Sequence, residues 1–478
     1  MSEIGNHDNL TSNSPPPGQA MPAEFGLGTA TFLVVASMVG VGVLTTSGYT
    51  VALVGSNQWM LILWVLGGLI AVSGAMSLAE LSAMLPRTGG DYVYLHEAYG
   101  PLPAFLSGWV SFLIGFSCPT AAAAYGSAKY LRAPFVGSGA GTMMLEKGIA
   151  SALILGFWMI HVRGRSASSR VQGVITLFKL GVLVLFAIVG LAVGFPRYEN
   201  LLDRTPLTLS LVVIMLSSMV YISYAYVGWN AASYLAGEIK NPEKLLPRAI
   251  LIGTGGVVAL YLFLNIVYGL ALSASDVRGI ISDPANTQGF DAVAPIAELA
   301  AKRLFGPGAS AAFSVVVGLM LFSTLSAYIL VGPRVVYAMA AAGQFPAVAA
   351  RLTRDTKTPA VATALQTSAA LVLLWTGSYE SLVVYASVGL SIFSMLSISS
   401  IYVLRRRRPE LDRPFRCPLY PITPALFLIP TALLVVAVYY ERPLVSTYAL
   451  ASILAGVPVY YLGGFSGRSR GVATTTTL

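Results

Sequence analysis

Twelve apolar runs separated by short polar breaks govern what this chain can fold into. They fall at about 26–53, 58–84, 101–130, 145–161, 171–195, 208–237, 247–273, 309–342, 360–376, 380–404, 422–440 and 444–463. A helix needs about 20 mostly apolar residues to cross a bilayer, and most of the runs are of that order. Only helices and closed barrels satisfy the backbone in lipid, and runs this continuous do not alternate as barrel strands do. The expectation is an all-α polytopic membrane protein with about 12 transmembrane helices. Composition agrees. Of 478 residues, 56% are apolar and 10% charged, against about 25% charged in a typical soluble protein. That is too little charge to clothe three soluble domains, which excludes soluble multidomain enzymes and disordered chains. A shorter amphipathic stretch at 291–304 suits a helix lying over a pore mouth.

The net charge of +9 comes from 29 basic and 20 acidic residues. In a soluble domain it would suggest nucleic acid. Here its positions follow membrane sidedness, because short cytoplasmic loops are enriched in Lys and Arg. With both termini inside, 19 basic residues fall on the cytoplasmic side, nine on the other, and Lys179 on neither. The expected location is therefore the cell (plasma or inner) membrane, with no nucleic-acid partner. Arg405–Arg408 is placed to hold the end of span ten against anionic headgroups. The first 24 residues contain no Lys or Arg and lack the basic start of a signal peptide. With Pro15–Pro17 they read as a disordered cytoplasmic tail, and 464–478 reads as a second tail. Cys118 and Cys417 offer neither disulfide nor metal spacing. His7, His96 and His161 are scattered, and His96-Glu97 lacks a histidine at the fourth place, where Gly100 stands. No phosphate-binding Gly-Lys loop is present. The expectation is a protein that is not an enzyme and carries no cofactor or metal.

Two spans are interrupted. The first contains Val39-Gly40-Val41-Gly42-Val43-Leu44-Thr45-Thr46-Ser47-Gly48, and the sixth Tyr224-Ala225-Tyr226-Val227-Gly228-Trp229-Asn230-Ala231-Ala232. Close packing on small residues is one reading. The other is that each helix unwinds there, at equivalent positions of two five-span repeats, and matched interruptions point to a transporter's binding site. Unwinding exposes the amides that start one half-helix and the carbonyls that end the other. A zwitterion fits between them without a charged side chain. Gly40-x-Gly42 follows no soluble strand, so a dinucleotide reading does not apply.

The chain resembles the amino acid–polyamine–organocation permeases from Gly26 to about Arg408. The strongest piece runs from Tyr224-Ala-Tyr-Val-Gly-Trp-Asn through Gly237-Glu-Ile-Lys-Asn-Pro242 to Pro247-Arg-Ala-Ile250. Ala79-Glu80-Leu81, Pro86-Arg-Thr-Gly-Gly-Asp-Tyr-Val-Tyr94 and Arg170–Leu180 are similar to other family segments, and Pro333-Arg334 through Pro346 more loosely. The resemblance implies a five-plus-five inverted repeat of the leucine-transporter type, with repeats at 25–195 and 208–404 and two further helices in 422–463. It implies that Val41, Gly42 and Val43 offer amides to a substrate carboxylate. Met38 and the carbonyls of Tyr224, Ala225 and Val227 would receive its amino group, and the Tyr224 ring would close as a lid. Two departures add branched bulk beside that site: Gly40-Val41-Gly42-Val43-Leu44 replaces the usual Gly-Ser/Ala-Gly-Ile-Phe, and Val227 stands where large-substrate members often carry glycine. They point to a small or medium neutral substrate.

Lys179 lies about nine residues into span five, where a lysine costs about 2.5–3.5 kcal/mol to insert. Snorkelling to the inner face is one reading. The other is functional, since burial disfavours a charged lysine and lets such a group exchange a proton. The resemblance implies that its ammonium replaces a sodium ion between spans one and eight, near the candidate ligands Ser323, Thr324 and Ser326. Glu80, Glu238 and Arg334 are candidates for an inner gate, or solvated helix ends. Trp229 and Asn230 are candidates for the pocket wall, while Trp59, Trp64 and Trp109 read as interfacial or packing residues. Together these readings describe a secondary active transporter moving amino acids by alternating access with proton coupling. Its partners would be an amino acid, protons and the bilayer; no accessory subunit is specified. The alternatives are an exchanger or polyamine permease of the same fold, and a non-transporting amino-acid sensor. The absence of an unpaired acidic residue around the two breaks argues against a polycation pocket.

Overall fold

A computed structural model describes residues 23–135, 141–203, 205–283, 293, 295–376 and 379–465. Most of both expected tails, the segment 284–292 and Arg204, Arg468 and Arg470 lie outside these residues. The described residues are helical apart from turns, loops and a bridge between Phe25 and Ile239.

Among the described residues, eleven helices are long and apolar enough to cross a bilayer. The twelfth expected span, Ala360–Thr376, is a helix of 17 residues, or about 25 Å at 1.5 Å per residue, and is shorter than the rest. Span one is split into Leu27–Met38 and Val41–Val54. Span two is Asn57–Met84. Span three runs from Pro101 to Arg132 with a π-helical turn at Ser111–Ser117. Spans four and five are Thr142–Arg163 and Arg165–Gly194. Span six is split into Leu209–Tyr226 and a short 3₁₀ segment, Ala231–Glu238. Spans seven and eight are Pro242–Ala271 and Pro307–Val331, the latter continued by Pro333–Ala341. Spans nine to twelve are Ala360–Thr376, Tyr379–Arg407, Ile422–Glu441 and Pro443–Leu462.

Packing follows the repeat. Span one lies against six, two against seven, three against eight and four against nine. These are the pairs an inverted five-plus-five repeat brings together around its axis. Burial is inverted relative to a soluble protein. On span five, Gln172, Thr176, Lys179 and Leu183 are buried, while Val174, Leu177, Phe178, Leu185 and Ile188 are exposed. A stripe with the polar residues turned inward and apolar residues outward suits a lipid exterior. The amphipathic stretch forms the helix Ile296–Phe305, and with Ala274–Ser282 it packs against the second half of span one.

On the face holding the start of span one, the amides of Glu24 and Phe25 donate to the Glu238 carbonyl at 2.9 and 2.8 Å. The guanidinium of Arg334 meets the Glu238 carboxylate at 2.9 Å, both side chains almost fully buried. Glu80 is separate from this pair. It accepts from Arg405 at 2.6 and 2.8 Å and from the Cys417 amide at 2.6 Å, tying span two to the loop after span ten. Glu80 and Glu238 are both fully buried, so neither is a solvated helix end.

Candidate functional site

The two interruptions lie side by side and antiparallel. The second half of span one packs along the first half of span six, and the first half of span one meets Ala231–Glu238. Glycine makes this approach possible at two positions. A Cβ on Gly42 would lie 2.7 Å from the Ala225 Cα, and one on Gly228 would lie 2.7 Å from the Ser37 carbonyl carbon and oxygen. Gly228 also has φ +116°, a conformation that other residues rarely adopt.

Where a helix stops, its last carbonyls lose their partners. In span one each receives another. The Val35 carbonyl accepts from the Val39 amide. Lys179 Nζ donates to the carbonyls of Ala36 at 3.2 Å and Val39 at 2.5 Å, and to Thr324 Oγ1 at 3.0 Å. The Thr324 hydroxyl donates to the Val39 carbonyl at 2.8 Å and that of Tyr328 to Ser37 at 3.0 Å. The Met38 carbonyl accepts from Tyr261 Oη at 2.7 Å and from the Gly40 amide at 2.9 Å. Lys179 therefore spans the break instead of snorkelling to a surface, and its side chain is 1% exposed.

The amide side differs. Gly40 precedes the helix Val41–Val54 and has no side chain to cap it. The amides of Val41, Gly42 and Val43 thus begin a helix without an intrahelical acceptor. At span six the carbonyls vary. That of Tyr224 accepts from the Val227 amide at 3.2 Å. That of Ala225 shares the Tyr261 hydroxyl at 3.1 Å. One O–H proton serves both Ala225 and Met38, and each carbonyl keeps a second lone pair. The Val227 carbonyl takes no donor among the described residues.

These groups line one cavity. Its wall includes Met38, Val41 and Gly42 from span one, Tyr224, Ala225, Val227 and Asn230 from span six, and Tyr328 from span eight. Val43 is buried but does not line it. Tyr224 is half-buried at the end of its half-helix. Trp229 lines a neighbouring cavity between spans two, six, ten and eleven, with its ring 5.6 Å from that of Phe427. Val227, Gly228, Asn230 and Leu390 face both cavities. Glu80 and Arg334 line neither. Among the described residues no group of three or more His, Cys, Asp or Glu could hold a metal ion. The hydroxyls considered for sodium are engaged: Ser323 with Thr176 at 2.9 Å, Ser326 with His161 at 2.9 Å, and Thr324 with Lys179.

Several contributors were missed by sequence reasoning. Tyr261 and Tyr328 sit in apolar spans, where a tyrosine reads as packing. Tyr261 is braced by Trp64 and Tyr226, with ring centroids at 5.5 and 5.2 Å. Ser37 lines the cavity, and its buried hydroxyl has no hydrogen-bond partner among the described residues. Ser111, Gly115 and Phe116 reach the cavity on the π-helical turn of span three. Pro119 was the available signal, since it lacks the amide that an α-helix there would use.

The amino acid permease family profile matches residues 25–460. The chain is 30% identical to the serine/threonine exchanger SteT of Bacillus subtilis (strain 168), covering 92% of this chain and 96% of that protein. It is 26% identical to the cystine/glutamate transporter of Homo sapiens, over 94% of this chain and 87% of that one. With the human large neutral amino acids transporter small subunit 2 it shares 28% identity, over 93% and 81%.

Proposed function

This chain belongs to the amino acid permease family, and on that footing we propose that it moves small or medium neutral amino acids by alternating access, coupled to protons at Lys179. The observation that carries the reading is one cavity with open amides on one wall and uncommitted carbonyl capacity on the other. The substrate carboxylate sits on the amides of Val41 and Gly42, which line the cavity, while Val43, expected beside them, lies outside its wall; the positive end of the half-helix favours the anion. Its ammonium sits on the carbonyls of Ala225 and Val227, with the second lone pair of Met38 in reach. Tyr224 closes over it, and the valines limit its side chain. The N-terminal face is cytoplasmic, as the distribution of Lys and Arg supports, in a cell membrane. There the Arg334–Glu238 pair holds the inner end of span six until the path opens.

Lys179 supports the coupling. Its ammonium holds the Ala36 and Val39 carbonyls, so loss of its proton frees the first half of span one to move. A fixed ammonium there also repels a second cation where screening is weak, which favours protons over sodium. Purified protein in liposomes tests this, with a panel of amino acids under imposed pH and sodium gradients in turn. Accumulation driven by the pH gradient alone is expected, with loss of that drive in Lys179→Ala. Full proton-driven uptake in the variant would overturn the assignment. The 30% identity to a serine/threonine exchanger favours a second reading, obligatory exchange. It requires uptake only into liposomes preloaded with amino acid, whatever the pH gradient.

A further inference from the structure

Asp91 begins the helix Asp91–Tyr99, which lies between spans two and three on the N-terminal face. It is 5% exposed, and no Lys or Arg bonds to it among the described residues. Its Oδ2 accepts from Tyr234 Oη at 2.6 Å and from Asn230 Nδ2 at 3.0 Å. Both donors belong to the inner part of span six, and both line the cavity. Burial raises the pKa of this carboxyl, and the hydrogen bonds from Tyr234 and Asn230 offset part of that rise.

Asp91 Oδ2 is the acceptor in both bonds, and an amide side chain can meet an acceptor only with its NH₂. The NH₂ end of Asn230 must therefore face Asp91, and the flip of this amide is set by its partner's chemistry. The Asn230 backbone is also pinned, since its carbonyl accepts from the Ser233 amide at 3.0 Å and the Ser233 hydroxyl at 2.7 Å. What remains is Asn230 Oδ1, the only polar atom of that side chain not committed to Asp91 or Tyr234. The cavity needs such an atom. The span-one carbonyls already have donors, so the acceptors for an ammonium group come mainly from span six.

We propose that Asp91 is a positioning residue for substrate: by taking the NH₂ of Asn230, it turns Oδ1 toward the cavity as an acceptor for the substrate's ammonium group. Asparagine at 91 offers an oxygen and an NH₂ alike, so Asp91→Asn no longer forces the flip. The proposal rests on the cavity being the amino-acid site. If the wild type accumulates no amino acid, that reading fails; if the wild type transports and the cycle below is additive, only this proposal fails.

The experiment is a double-mutant cycle on proteoliposome uptake of the amino acid with the lowest KM in the panel. Asp91→Asn and Asn230→Ala are each expected to raise KM about tenfold, within the range for a hydrogen bond to a charged group, with Vmax within twofold. The double variant is expected to be no weaker than Asn230→Ala alone, because Asp91 acts through Asn230. A KM within twofold of wild type in Asp91→Asn, or two losses that multiply in the double variant, would overturn the proposal. Asp91→Glu keeps a carboxylate and still forces the amide, so its KM should stay below that of Asn230→Ala. A KM equal to or above that of Asn230→Ala counts against the proposal, even if Asp91→Asn cannot be recovered folded.

Discussion

The two broken helices solve the same problem in different ways. In span one the gap is two residues, Val39 and Gly40, and each carbonyl from Val35 to Val39 receives a donor from span five, seven, eight or its own turn. In span six the gap from Val227 to Asn230 is longer and leads into a 3₁₀ segment, and its Val227 carbonyl takes no donor among the described residues. The contrast assigns roles. Span one's break is clamped on its carbonyl side and open on its amide side, which suits an anion. Span six's break keeps acceptor capacity, which suits a cation. A zwitterion would fit across the two, and a buried backbone group without a partner is costly to leave unmet.

Gly228→Ala attacks the contact between the breaks and carries the largest expected effect. It combines a strained φ with a Cβ 2.7 Å from span one's backbone. Each cost is about 1–3 kcal/mol, so a marked fall in the melting temperature and loss of uptake are expected. A variant with wild-type melting and uptake would show that the two breaks need not touch. Tyr261→Phe removes a hydroxyl shared by both breaks, taking its donor from the Ala225 carbonyl and leaving Met38 with the Gly40 amide, at about 1–3 kcal/mol. Its KM should rise about tenfold at similar protein yield, and an unchanged KM would detach Tyr261 from the site.

Much of this arrangement was legible in the sequence, because a bilayer makes exceptions conspicuous. Gly40, Gly42 and Gly228 stand out in apolar runs, and a single lysine in span five stands out more. What could not be read was who answers the freed carbonyls. Tyr261 and Tyr328 look like ordinary span residues, and Thr324 like a candidate sodium ligand, until the fold brings spans seven and eight against span one. Asp91 looked like part of a loop motif, since a carboxylate at a helix start is usually explained by the helix itself. Span nine was counted as a full crossing, yet its helix has 17 residues. Apolar length alone does not separate a full crossing from a short one.

The smallest expected effect concerns the wall between the two cavities. Val227→Gly removes the branched side chain that faces both without touching the backbone acceptor. Uptake of the small substrate should keep its KM within about threefold, while phenylalanine and tryptophan, expected to compete weakly with the wild type, should become at least about tenfold better, the range set by about one to three kcal/mol of pocket contact. Tryptophan competing as well as alanine in the wild type would remove the size argument altogether.

The most direct test is competition against uptake of the labelled best substrate by three compounds: the unlabelled amino acid, its carboxamide and its des-amino acid. The account predicts that only the first competes, with each of the others at least about tenfold weaker, because each loses a charged group hydrogen-bonded at one break. A carboxamide that competes as well as the amino acid would contradict the claim that the amides of Val41 and Gly42 hold a carboxylate.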